Sequence, residues 1–581
     1  GTVAGTCEKN IAIGVYSMNV NQTHVQQNTA VGYQSLRYLA GSTSNYNSAF
    51  GSDAGMSITA GSYNTAIGAG VLGEASGNAI TGDFNTGVGN LALYNAEGTA
   101  NANTAIGYRA GFGMTTASGS VLIGHQAGDN ITTASGSVFI GVDAGGNVNT
   151  GNMNIGIGYN AFHNAATGDN NIAIGTNAGD AVTSGTLNIL IGKNTGGAIN
   201  SGHENVAVGA NALLEATTAG YTVAIGNSAM AGADVTGDSN VGIGASALFY
   251  NTSGNNNVAV GHQTGFYNAT GTLNTWVGYQ AGKGASGNNN SQNTGLGYRA
   301  GYSITSGSNN TLLGRQTGLE LEGGTDNVFA GMNAGAATLS GTEMVVIGTD
   351  AMSLGVVTTG ATGTVAIGQD ALKNLVSGPQ NTAIGSYNSD ALTTGGYNTS
   401  VGRSTLGALT AGSHNIALGR ATLTTAADDE SDNIAIGNSA LGSAKQDGTA
   451  SSTNREVKRN VAIGTDALIG GTLTGARHLE GNIAIGYQAL DATAANEQIG
   501  TIAIGTSALG GLTDGQFNVA IGYESQLYQT DGTGNTTLGY QAFRNADNGE
   551  SHNVVIGHEA GEFQNHASSD GNVWIGGEAC V

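Results

Sequence analysis

One pattern runs the length of this chain: Asn, then Val, Thr or Ile, then a small residue, then Ile or Val, then Gly. Asn171-Ile172-Ala173-Ile174-Gly175 is a clean copy, continuing through Ala178 and Gly179. Aligned on its glycine, the pattern occurs 32 times between Gly14 and Gly576. Of the 31 intervals, 18 are 17 residues long and none is shorter. A fixed period of this kind marks stacked like units rather than unrelated domains. The lower bound has a physical cause, because a coil of a solenoid has a minimum perimeter. Residues can be added at a corner but not removed. The longest interval, Gly437 to Gly464, keeps both motifs intact and places its extra residues between Leu441 and Asn460. The long insertions, at 442–459 and 469–481, are therefore expected to be loops at one corner.

The motif itself reads as a short strand. The position three before the glycine is Val, Ile or Thr in 31 of 32 copies, Ser48 being the exception. The position just before the glycine is Ile, Val, Leu or Phe in all copies but Ala330. These two positions share one face of a strand, and their β-branched character disfavours a helix. The residue between them is Ala or Gly in 21 copies and points the other way. The strand is thus apolar on both faces, as for a strand buried on both sides. The β-branched face is expected to fill the interior. The small face would allow a second surface to approach, which predicts an oligomer. Asn opens the motif in 26 copies, and amides stacked about 4.8 Å apart can form a hydrogen-bonded ladder. Triplets such as Thr183-Ser184-Gly185 and Thr305-Ser306-Gly307 mark a second corner.

One coil buries too few apolar side chains to offset the ordering of its own backbone, so a lone coil cannot fold. Stacking supplies each strand with two neighbours and makes the core continuous. The sequence predicts an all-β chain: a single continuous parallel β-solenoid, or β-roll, of about 32 coils spanning 1–581. The single proline, Pro379, agrees with a chain made largely of paired strands.

Composition narrows the partners. Acidic residues outnumber basic ones 39 to 16, for a net charge of −23, which argues against nucleic acid and anionic membrane surfaces. There is no apolar run of 18 residues, so no membrane insertion is expected. The chain starts at Gly1 without Met, as expected of a processed chain or of a segment of something longer. No cofactor or metal site is expected. The run Asp428, Asp429, Glu430 and Asp432 lacks a calcium-loop signature, and two cysteines alone cannot form a metal cluster.

The repeated motif resembles the head repeats of YadA-like trimeric autotransporter adhesins and similar repeats in phage tail fibres. The resemblance covers essentially the whole chain, although the coil here is longer than the family's usual one. It implies a left-handed parallel β-roll, associated as a trimer, displayed outside a cell or virion and used for attachment. The expected function is an extracellular structural fibre or filament subunit with an adhesive role and no enzymatic activity. The shaft or receptor-binding region of a phage tail fibre is the first alternative. The second is a glycan-degrading solenoid enzyme, which would need carboxylates paired across coils. The ten scattered His residues recur in no catalytic order.

Three features are candidate contact points. Cys7 and Cys580 lie near the two ends. Five residues follow Gly576 and Gly14 is the fourteenth, so two chains joined end to end would keep a 19-residue spacing already present within the chain. Head-to-tail stacking, clamped by a Cys580–Cys7 disulfide at an oxidising exterior, would generate filaments. The partners expected are further copies of the chain, lateral or end to end, and a surface glycan or receptor. Arg455, Lys458, Arg459 and Arg477 lie in or beside the long insertions and are candidate receptor contacts, a solvated loop being the plainer account. Tyr follows the motif glycine at eight places, including Tyr108, Tyr279, Tyr523 and Tyr540. These rings could stack on sugars, cover the corner or pack between chains.

Overall fold

The computed structural model describes the chain except residues 1–7, 20–23, 41–43, 74–78, 165–166, 425–429, 443–444, 447–455, 471, 474–477, 494–496, 547–548, 563–569 and 581. The chain forms two compact units, Gly1–Asn290 and Ser291–Val581. Each is a parallel β-solenoid in which the motif triplets are the rungs. The first unit carries sixteen of them from Ile11–Ile13 to Thr275–Val277, and the second carries sixteen from Thr294–Leu296 to Val573–Ile575. Successive rungs pair in parallel and in register, as Ile172, Ala173 and Ile174 do with Ile189, Leu190 and Ile191. Among the described residues the only helical element is the 3-10 turn Thr359–Ala361.

Each corner is made by residues held in left-handed conformations. We number positions from the motif glycine. The glycine has φ near +135°, as at Gly175 (+136°). Positions +2 and +4 are left-handed as well, as at Asn211 (58°) and Leu213 (51°). Most of these residues are not glycine, so each corner carries a local cost that stacking must exceed. The motif glycine is required for a second reason. A Cβ built on Gly175 would stand 2.4 Å from the carbonyl oxygen of Gly192 on the next coil.

The two faces of the rung are the reverse of the sequence expectation. The middle residue points inward and is fully buried, as at Ala173, Leu190 and Ala207. The flanking β-branched residues point outward and stay partly exposed, Ile189 at 36% and Ile191 at 37%. The reason is the narrow lumen of a 17-residue coil. The interior must also hold the residues at +3, +4 and +7, for example Ala212, Leu213 and Ala216, so little room remains beneath the strand. The outward pair is covered only by the same positions on adjacent rungs.

Core volume is balanced within a coil wherever the strand's middle residue is bulky; where both positions are small, as at Ala105 and Gly111, Leu93 and Leu122 of the adjacent coils fill the space. Where the middle residue is large, the residue six places later is small. Trp276 is followed by Gly282, Phe139 by Gly145, Phe329 by Gly335 and Leu190 by Gly196. A Cβ on Gly282 would lie 2.2 Å from Trp276 Cδ2, and one on Gly145 would lie 2.4 Å from the Phe139 ring. We expect Gly282→Leu and Trp276→Ala each to destabilise the first unit by about 3 kcal/mol or more, by overlap and by cavity formation respectively. The double variant should recover most of that loss, as read by thermal unfolding. Additive losses would show that the two positions do not share one space.

The motif asparagines form the expected ladder. Asn188 donates through its backbone N–H to Asn171 Oδ1 (3.0 Å) and through Nδ2 to the same oxygen (3.0 Å) and to Gly202 O (2.8 Å). Its own Oδ1 accepts the backbone N–H (3.1 Å) and Nδ2 (3.0 Å) of Asn205. Each amide thereby ties its rung to the one before, through the preceding Asn, and to the second corner of the next coil.

The described flanks of the long insertions form short strands. Lys445–Gln446 pairs in parallel with Thr472–Leu473. Glu456–Lys458 pairs with His478–Glu480, which in turn pairs with Gln498–Ile499. Val457 and Leu479 are buried. Because consecutive coils all carry extra residues at this corner, the flanks of the insertions find strand partners in one another.

Candidate ligand-binding corner

The chemistry-bearing side chains gather at the corner that follows the motif glycine. The left-handed residues at +2 and +4 turn the chain so that +3 and +4 enter the core while +1, +2, +5 and +6 line the outside. Ion pairs cross coils there: Arg109 Nε with Asp129 Oδ1 at 3.1 Å and Arg544 Nε with Glu524 Oε2 at 2.8 Å. Aromatic rings stack there as well, Phe249 on Phe266 at 5.2 Å and Tyr250 on Tyr267 at 5.4 Å. The tyrosines at +1 are exposed, and Tyr33, Tyr108, Tyr279, Tyr523 and Tyr540 rest on aromatic neighbours one coil away. Tyr523 stacks on Tyr540 at 5.3 Å, Tyr540 on His558 at 5.1 Å and Tyr108 on His125 at 5.2 Å.

Position +5 sets the relief of this corner. Large residues such as Phe249, Leu319 and Arg544 make ridges. Glycine makes a notch. Cavities of about 470, 330 and 260 Å³ lie along the corner, with Gly407, Gly73 and Gly197 respectively at +5. Every Asp at this position precedes a glycine at the same position of the next coil: Asp129 before Gly146, Asp180 before Gly197, Asp390 before Gly407 and Asp491 before Gly510. Burial pushes the carboxyls of Asp180, Asp390 and Asp491 above the ordinary value of 3.8. At Asp390 the neighbouring Asp370 adds to the rise while Lys373 opposes it. The sequence pointed to the tyrosines of this corner but not to its recesses, though the Asp-then-Gly succession is visible once the coils are aligned on their glycines.

The residues expected to make contacts are not brought together. Cys7, Arg455 and Arg477 lie outside the described residues. Lys458 ends the inserted strand Glu456–Lys458, and the exposed Arg459 beside it forms an ion pair with Glu480 on the next coil. Cys580 is exposed and occupies position +4 of the last motif coil, six residues after Trp574. That is the place Gly282 takes after Trp276, but Cys580 is exposed there rather than enclosed in the core. In the acidic run, Asp428 and Asp429 lie outside the described residues. Glu430 is buried, its backbone oxygen accepting Asn415 Nδ2 at 2.8 Å. Among the described residues no three His, Cys, Asp or Glu side chains are grouped to hold a metal ion, and no helix is long and apolar enough to cross a membrane.

The corner has the makings of a binding surface: rings, half-buried carboxylates, exposed guanidinium groups and recesses of defined size, repeated on a rigid scaffold. No known protein family matches this chain by sequence, and no curated protein matches it at a significant level.

Proposed function

We propose that this chain is a structural fibre subunit displayed outside a cell or virion, that it associates laterally as a trimer, and that it serves in attachment. The observation that carries the reading is the outward face of the rungs. Each rung points two side chains outward, in register with those above and below: the one before the glycine is apolar throughout, and the other is Val or Ile in 21 of 32 rungs and Thr or Ser in the rest. With rungs about 4.8 Å apart and a face about 10 Å wide, sixteen rungs offer roughly 800 Å² per unit. That is the area a stable partner covers, and contiguous apolar patches of this size mark interaction surfaces. The face repeats itself from rung to rung, which suits another copy of itself. Lateral association explains this face.

The test is the assembly state. We expect the purified chain to sediment as an oligomer at micromolar concentration. The variant Ile155→Lys, Ile189→Lys, Val223→Lys, which places cations on alternate rungs of the outward face, should sediment as a monomer with an unchanged circular dichroism spectrum. A wild-type chain that is monomeric under these conditions would remove the proposal.

A further inference from the structure

The notch of about 470 Å³ lies wholly within the second unit, between the coils that carry Tyr387, Gly407 and Thr424. Its glycine is not forced by the backbone. Gly407 does not adopt the left-handed conformation of the motif glycines, and a Cβ there would meet Asp390 Oδ1 and Ser404 O only at ordinary contact distances of 3.5 Å. Leucine occupies the same position at Leu214, Leu319 and Leu527. The recess therefore exists because a side chain is absent where the fold would accept one. Its size is set by the coil below. Thr424 leaves about 470 Å³ beneath Gly407, whereas Leu214 in the corresponding place beneath Gly197 leaves about 260 Å³.

The side chains around the recess form a recognisable chemical set. Tyr387 is exposed, and Gln369 Nε2 holds its hydroxyl at 3.2 Å, which fixes the ring at the rim. The Asp390 carboxyl leans over Gly407 and is oriented by its own N–H and that of Ala391. Arg403 is exposed and pairs with no carboxylate among the described residues, and Ser404 and Thr424 supply hydroxyl groups.

We propose that this notch binds a pyranose sugar, with one C–H face of the ring on Tyr387 and adjacent hydroxyls on Asp390 and Arg403. A pyranose needs this combination: an aromatic plane for its apolar face, and an acceptor and a multiple donor side by side for vicinal hydroxyls. A cavity of this volume lies within the range of small-molecule sites and accommodates one or two sugar rings. A polyanion would meet Asp390, Asp370 and the chain's net charge of −23, so a neutral sugar fits better. The binding would supply attachment with a chemical target, but it does not require the lateral assembly proposed above.

The experiment titrates the intact chain with the methyl glycosides of glucose, galactose, mannose and N-acetylglucosamine. Saturation-transfer NMR and calorimetry follow the binding. At least one glycoside is expected to bind with a dissociation constant on the order of millimolar, as for a single shallow site. Gly407→Leu fills the recess with a residue the position holds elsewhere. Tyr387→Asn removes the ring but keeps a residue suited to its left-handed backbone (φ 54°). Each should weaken binding tenfold or more, and Gly197→Leu in the first unit should leave it unchanged. No binding of any of the four at about 20 mM, or equal binding by both notch variants, would overturn the assignment. Sedimentation of the same samples reads assembly separately, so loss of one property is not mistaken for loss of the other.

Discussion

Gly175→Ala is expected to destabilise the first unit by about 4 kcal/mol or more, far beyond a usual glycine-to-alanine change. Two costs add. The backbone at φ +136° lies in a region that L-residues rarely enter, worth about 1–3 kcal/mol. The new methyl would also stand 2.4 Å from the carbonyl oxygen of Gly192, a backbone atom of the adjoining coil that cannot swing aside. The neighbouring coil must move, and the in-register pairing of Ile172 with Ile189 moves with it. Gly119 provides the control. It is also left-handed, at φ +69°, but a Cβ there meets nothing within 4 Å. Gly119→Ala should cost only about 1 kcal/mol. Long repeat arrays need not unfold in one step, so hydrogen-exchange protection of the amides in Ile172–Ile174 and Ile189–Ile191 is the measurement to make. Equal protection in the two variants would mean that the inter-coil contact is not what demands glycine.

The asparagine ladder should prove nearly as sensitive. Asn188→Ala removes the acceptor for the Asn205 N–H and Nδ2 and the donors to Asn171 Oδ1 and Gly202 O, all within a buried interior. With a cost of about 1–3 kcal/mol for each buried group left unsatisfied, a loss of about 3–5 kcal/mol is expected. Asn188→Thr should be milder, since Thr222 occupies the same place and donates its N–H to Asn205 Oδ1 at 3.0 Å. Asn188→Asp is the informative variant. It keeps the acceptor but turns a donor toward Gly202 O into a buried carboxylate, so it should be the most damaging at neutral pH. Burial raises such a carboxyl's pKa, so the folded state holds its proton more tightly than the unfolded state. The damage should therefore lessen as pH falls through that raised value. Denaturant unfolding of the three variants at neutral and mildly acidic pH tests the order. A ladder of mere coincidence would give three equal and small effects.

Much of this architecture was legible in the residues. The spacing of the motif glycines located the rungs, the Asn at the head of each motif foretold the ladder, and the interval around Leu441–Asn460 located the insertions. The sidedness of the strand was not. Alternation of Ile, Ala and Ile shows that two faces differ but not which one meets the core, and the usual rule assigns the larger side chains inward. That rule fails here because Leu213 and its equivalents enter the same narrow lumen from the opposite wall. A longer-range signal does carry it, in Trp276 with Gly282 and Phe139 with Gly145, pairs that make sense only if the middle residue is interior. Read one at a time, the insertions show no partner, whereas their described flanks around Val457 and Leu479 are buried by pairing between coils. The corner notch escaped because its key feature is an absent side chain, Gly407, beneath a single half-buried aspartate.

The compensation of Trp276 by Gly282 within a single turn has a consequence for how such a chain changes over time. Where bulk is balanced inside a rung, what passes to the next is uniform: a glycine carbonyl, an amide and two strand edges. A gene can duplicate, delete or shuffle such rungs with little re-tuning of their neighbours, whereas a coil such as that of Gly111, into which Leu93 and Leu122 reach from either side, travels with the coils that fill it. Heredity here acts on lengths of thread cut at the glycine, and the decoration at the corner is free to diversify from one segment to the next.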